Sequence, residues 1–120
     1  MAEFWRPYGQ AFSVRFPLID RGTLDFASTP VTFAAGDAQR SLDGGAFANA
    51  TNLPTHIGQG NYEWDGAAAE AEADDIWMHL IDQSNPKLWE DQAIHVYTVI
   101  AGALRTRLAQ AGAITTITLD

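Results

Sequence analysis

Short stretches that alternate apolar and polar residues constrain this chain more than any other feature. Phe12, Val14 and Phe16 alternate with Ser13 and Arg15, and a period of two places every second side chain on one face of an extended strand. The pattern returns at Val31 and Phe33 around Thr32, at Tyr62 and Trp64 between Glu63 and Asp65, and at Ile76, Met78 and Leu80. It closes with a strand from about Leu88 to Val99, in which Ile94 and Val96 face one way and His95 and Tyr97 the other. Arg21-Gly22, Ala35-Gly36-Asp37 and Ser84-Asn85-Pro86 separate these runs with turn chemistry, and Asn52, Pro54, Gly58 and Gly60 mark a loop. Asp43-Gly44-Gly45 is a hairpin signal whose arms would be residues 38–42 and 46–50. One segment, Ala67 to Asp74, holds only alanine and acids and favours a helix of one or two turns. Parallel βαβ units need longer helices than that. The fold class expected is therefore all-β, a small antiparallel sandwich or partial barrel with one short helix.

The two ends read differently. Residues 1–10 carry Phe4, Trp5, Pro7, Tyr8 and Gly9 without a period, an apolar leader too short for a core of its own, which must fold back or dock on a neighbour. Beyond Val99, Ile100, Leu104 and Leu108 recur at helical spacing and Gly112 suits a C-terminal cap. Ile114, Ile117 and Leu119 among threonines then suggest a strand with no mate. Three units follow: an N-terminal arm (1–10), a β-sandwich domain (11–99), and a C-terminal helix–strand arm (100–120) that could open a further module.

With 120 residues, one self-supporting core is the expectation. The absence of cysteine excludes a disulfide scaffold, a thiolate metal site and a cysteine nucleophile. Seven basic residues against fifteen acidic ones give a net charge of −8, a surface that repels phosphate backbones, so nucleic acid is not an expected partner. Nine carboxylates fall between Glu63 and Asp91 with Lys87 the one base among them, and a solvated acidic face explains them better than a cation site. No run of 18 apolar residues exists to span a membrane, and the start MAEFWRPYGQ lacks the layout of a signal peptide.

The middle of the chain resembles a module found in the tail, baseplate and fibre-type structural proteins of tailed bacteriophages. The resemblance rests on Ala35-Gly36-Asp37-Ala38-Gln39, on Asp43-Gly44-Gly45-Ala46-Phe47-Ala48-Asn49, and on Thr51-Asn52-Leu53-Pro54-Thr55-His56 with Gly58-Gln59-Gly60-Asn61-Tyr62. Ile81-Asp82-Gln83 and Lys87-Leu88-Trp89-Glu90-Asp91 complete it, covering about residues 11 to 99. It implies an immunoglobulin-like or related small β domain that acts as a non-catalytic adaptor in the virion, assembled in the host cytoplasm, with other virion proteins and copies of itself as partners. Two positions depart from the pattern. Glu63-Trp64-Asp65-Gly66-Ala67-Ala68 replaces an apolar strand and helix start, and Arg40 stands where an apolar residue is common. Capsid decoration or a head fibre is a further alternative within this class.

Catalytic constellations are sparse. Ser13, Ser28, Ser41 and Ser84 lack a G-x-S-x-G setting. His56, His79 and His95 show no short ligand spacing, so no metal or cofactor is expected, although His79 and His95 share parity on adjacent strands. Of the four tryptophans, Trp64 belongs in the core with Tyr62, while Trp5, Trp77 and Trp89 are candidates for exposure. Exposed rings raise a carbohydrate-binding module as the alternative function, but protein contact is their commoner use. If Ile76, Met78 and Leu80 point inward, Trp77, His79 and Ile81 point outward, as do His95, Tyr97 and Val99 opposite Ile94 and Val96. The interface candidates are Phe4, Trp5, Tyr8, Trp77, His79, His95, Tyr97, Ile114, Ile117 and Leu119.

Overall fold

The computed structural model describes residues 2–99, and the expected helix and strand of 100–120 lie outside them. Eight strands run in chain order: β1 (Ala2–Pro7), β2 (Phe12–Pro17), β3 (Ala38–Leu42), β4 (Ala48–Asn49), β5 (Thr55–Gly58), β6 (Asn61–Gly66), β7 (Asp75–Leu80) and β8 (Gln92–Val99). They form a five-stranded sheet, β1-β8-β7-β3-β4, and a three-stranded sheet, β2-β6-β5. The fold is all-β, and no helix occurs among the described residues.

Alternation sets the core as expected. Phe12, Val14 and Phe16 of β2 and Tyr62 and Trp64 of β6 meet Ile76, Met78 and Leu80 of β7 and Ile94 and Val96 of β8 in one buried cluster. Each aliphatic side chain moved out of water there contributes roughly 1.5–3 kcal/mol. Phe12 packs edge-on against Trp64, with ring centroids 5.3 Å apart. Its ring fills space left by Gly66, the residue opposite it in the register, where a Cβ atom would lie 2.1 Å from the ring.

The hairpin forms where expected. Leu42 accepts a hydrogen bond from the Gly45 amide at 2.9 Å, and Asp43 and Gly44 between them have φ of 51° and 76°, the two left-handed centres of a type I′ turn. The Asp43 side chain also ties this turn to β7, accepting from the amides of Asp74 and Asp75 at 2.9 and 3.0 Å.

Five expectations are corrected. Ala67–Asp74 is a set of turns, not a helix. Glu70 there is 2% exposed and points inward, accepting from Ala67 N–H at 3.0 Å, Thr51 N–H at 3.2 Å and Arg40 Nε at 2.9 Å. A partner thirty residues away on β3 outweighs the weak helical preference of one short segment. Val31 and Phe33 are not in a strand. The Val31 amide donates to the Tyr62 hydroxyl at 3.2 Å, and Phe33 packs on Tyr62 and Trp89, so this segment spends its polar groups on a side chain instead of a ladder. Trp89, expected to be exposed, is 1% exposed beneath that segment. The sheets are also not wholly antiparallel, because the leader 2–7 lies parallel to β8, from Ala2 opposite Ile94 to Pro7 opposite Val99. A parallel pair needs a long crossover, and here the remainder of the domain supplies it. The loop around Pro54 and Gly58 contains β5, which pairs with β6 across an irregularity between His56 and Gly58.

Candidate functional site: the outer face of the five-stranded sheet

Because β1, β8 and β7 bury one side of the sheet, the other side collects their odd-numbered residues in rows. Trp5, Tyr97 and Asp75 stand opposite one another across the three strands, then Glu3, His95 and Trp77, then Ala93 and His79. Strand β3 extends the last two rows, with Ser41 beside Trp77 and Gln39 beside His79.

The rings in these rows pack on each other. Trp5 stacks on Tyr97 at 4.7 Å, Tyr97 lies against His95 at 3.9 Å, and His95 stacks on Trp77 at 3.9 Å with planes 9° apart. Four side chains from three strands therefore form one continuous stack. His95 is 6% exposed although it faces outward, since the Trp77 and Tyr97 rings both lie 3.9 Å from its own, and its Nε2 pairs with the Asp75 carboxylate. Phe47, from the β3–β4 connection, stacks on His79 at 4.5 Å. Trp5 and Phe47 at the ends of the array are 55% and 44% exposed. The Tyr97 hydroxyl is held above its ordinary pKa by its partly desolvated position and then by the carboxylates of Glu3 and Asp75.

The candidate residues thus divide. Trp5, Trp77, His79, His95 and Tyr97 come together on this face. Phe4 lies opposite Val96 on the inner side and packs against the core. There the Arg6 guanidinium sits 5.2 Å from its ring centre and donates to the Ser13 carbonyl of β2 at 2.9 and 3.1 Å. Tyr8 follows β1 in the turn, its amide bonded to the Val99 carbonyl. Ile114, Ile117 and Leu119 lie outside the described residues. Phe47 was not expected at the site. Its signal was its place just after the Asp-Gly-Gly turn, which aims the following residues back along the sheet.

His79 and His95 do sit on adjacent strands, but each is spent on an aromatic neighbour. Among the described residues no group of three or more His, Asp or Glu is placed to hold a metal ion. No helix there is long and apolar enough to cross a membrane. A shallow depression of about 270 Å³ opens at one end of the face, lined by His79, Ile81, Asp91, Gln92 and Ala93. A cleft of about 500 Å³ lies elsewhere, between the loops around Pro30 and Lys87. Neither a family model nor a curated protein sequence matches this chain.

Proposed function

We propose that this chain is a non-enzymatic structural domain of a tailed-phage particle, in the tail, baseplate or fibre attachment, held in place by protein contacts on the outer face of its five-stranded sheet. The observation that carries the docking part is the continuous Trp5–Tyr97–His95–Trp77 stack on a chain of net charge −8. Aromatic rows of this size in an otherwise acidic surface favour a partner over bare solvent. The immunoglobulin-like form belongs to the same proposal, supported by two sheets around one core. The virion assignment rests on the resemblance of residues 11–99.

A silent domain fits the hydroxyls as well. Ser13, Ser28 and Ser41 donate to the Asp65 carboxylate, the Phe26 carbonyl and the Gly45 carbonyl, so none of the three is poised against a histidine base. Sugar binding is the weaker reading. A pyranose stacks on a free ring face, whereas Tyr97 and His95 each pack against two neighbouring rings.

Mass spectrometry of purified particles from the replicon that encodes the chain tests the proposal. The chain should be present at a fixed copy number, and Trp77→Lys supplied in its place should fold normally yet be missing from the particles. Absence of the wild-type chain from particles overturns the virion reading, and normal incorporation of Trp77→Lys overturns the docking face.

A further inference from the structure

Resting on that docking reading, we infer that the outer face receives an arginine-bearing segment of another protein, with one guanidinium side chain seated in the depression over Ala93. Charge gives the first argument. The five cations among residues 1–99 are Arg6, Arg15, Arg21, Arg40 and Lys87. Arg6 and Arg40 turn inward to the Ser13 carbonyl and to Glu70, and Arg15 pairs with Glu63 on the other sheet. Arg21 sits in the loop after β2, and Lys87 bonds Asp91 at the edge of the face. The aromatic rows themselves carry only Glu3 and Asp75 as formal charges beside the histidines. A cation arriving there meets the carboxylates of Glu3 and Asp75 and no lysine or arginine in the described rows, and a carboxylate is a strong partner for a guanidinium.

Shape gives the second. Ala93 is the one small residue in the β8 rows and stands opposite His79, and both line the depression of about 270 Å³. The apolar side chains of Ala93 and Ile81 in its lining suit the methylene stem of an arginine. The same lining holds the imidazole of His79, which stacks on Phe47, and the carboxylate of Asp91, whose side chain is 55% exposed. Lys87 holds only Oδ1 of Asp91, at 2.8 Å, leaving Oδ2 to accept from a guanidinium. Arginine suits this place better than lysine, because its flat fork bonds a carboxylate in plane.

The same charges disfavour a second copy of the chain. Among the described residues these rows carry no lysine or arginine, so a second copy meeting face to face would bring carboxylates and no guanidinium from them, and like charges brought together are costly.

The test uses the full ¹⁵N-labelled chain and a capped Gly-Arg-Ala-Arg-Gly peptide at millimolar concentration, against versions with lysine, citrulline or glutamate in place of arginine, and against maltotriose. Amide shifts should concentrate at His79, Ile81 and residues 91–93, strongest for arginine, weaker for lysine and absent for glutamate. Affinity should fall by about fivefold or more in Asp91→Asn, and on raising salt to about 0.3 M, as screening requires. No shifts on this face, equal shifts from the glutamate peptide, or shifts from maltotriose alone would overturn the inference. The particle assay separates the two claims. If Trp77→Lys is excluded while Glu3→Gln/Asp91→Asn is incorporated normally, docking stands and the arginine partner falls. If Trp77→Lys is incorporated, the docking reading itself falls.

Discussion

Removing the Glu70 carboxylate should be among the most damaging single changes to this domain. Glu70 is 2% exposed and satisfies three donors from three separated segments: Arg40 Nε on β3 at 2.9 Å, the Thr51 amide at 3.2 Å and the Ala67 amide at 3.0 Å. Hydrogen bonds to a charged group contribute about 1.5–3 kcal/mol each, without simple additivity. Stripping a buried cation of its partner costs about 3–5 kcal/mol. The Arg40 side chain is 21% exposed, too little to rehydrate by rotation alone. Glu70→Ala should therefore lose about 3–5 kcal/mol, a fall in Tm of roughly 12–20 °C for a domain of this size. Glu70→Gln keeps the shape but turns an amide N–H₂ toward other donors, and should lose about 2–3 kcal/mol. Arg40→Met leaves the carboxylate its two backbone amides and should cost less than Glu70→Ala. The double variant Arg40→Met/Glu70→Ala should be less destabilised than the sum of its parts by about 1–3 kcal/mol. Urea unfolding followed by tryptophan fluorescence measures all four. An additive cycle, or a Glu70→Ala loss below about 1 kcal/mol, would show that this carboxylate does not hold the three segments together.

Gly44 has φ of 76° with nothing within 4 Å of an added Cβ, so Gly44→Val isolates backbone strain and should cost about 1–3 kcal/mol in a thermal melt; an unchanged Tm refutes the type I′ turn. Tyr62→Phe removes a hydroxyl that donates to the Ala27 carbonyl at 2.9 Å and accepts from Val31 N–H. It should cost about 1–3 kcal/mol and speed hydrogen exchange at Val31, and unaltered exchange there would count against the bond. Burial alone would raise the pKa of Asp82, but the amides of Leu88 and Ser84, at 2.6 and 2.8 Å, outweigh it and hold the carboxyl below its ordinary 3.8. A lowered folded pKa contributes stability that is complete above the unfolded value and lost as pH falls below about 4. Asp82→Asn should therefore be less stable at neutral pH and show a shallower acid limb by urea titration; parallel pH profiles for the two proteins contradict this.

What could be read without coordinates was the part governed by neighbours two residues apart. Strands β2, β6, β7 and β8 and the turn at Asp43-Gly44 follow from local patterns, as does the outward set Trp77, His79, His95 and Tyr97. Strand β1 escaped because aromatic residues occupy both its faces, Phe4 inward and Trp5 outward, so no alternation shows. Strand β5 is short, lies at a sheet edge and is flanked by Pro54 and Gly60, which signal a loop. The remaining misses share a non-local cause. Glu70 is drawn inward by Arg40, and Trp89 is covered by Phe33, contacts between residues thirty and more positions apart that no window of the sequence contains. The site followed the same division: its rows were legible, whereas the contribution of Trp5 and Phe47 depended on which segments lie alongside β8 and β7.

The parallel pairing of β1 with β8 has a consequence for the order in which the molecule is built. Residue 2 finds its partner at residue 94, whereas every strand of the small sheet is present once residue 66 has been made. Closing so long a loop is slow, and domains dominated by such distant pairings fold in milliseconds to seconds. The small sheet and the β3–β4 hairpin can form early. The large sheet stays open until β8 inserts between β1 and β7, and Trp5, Tyr97, His95 and Trp77 come into register only at that step. A nascent or partly folded chain would lack the assembled face, so docking would be reserved for molecules that have finished folding.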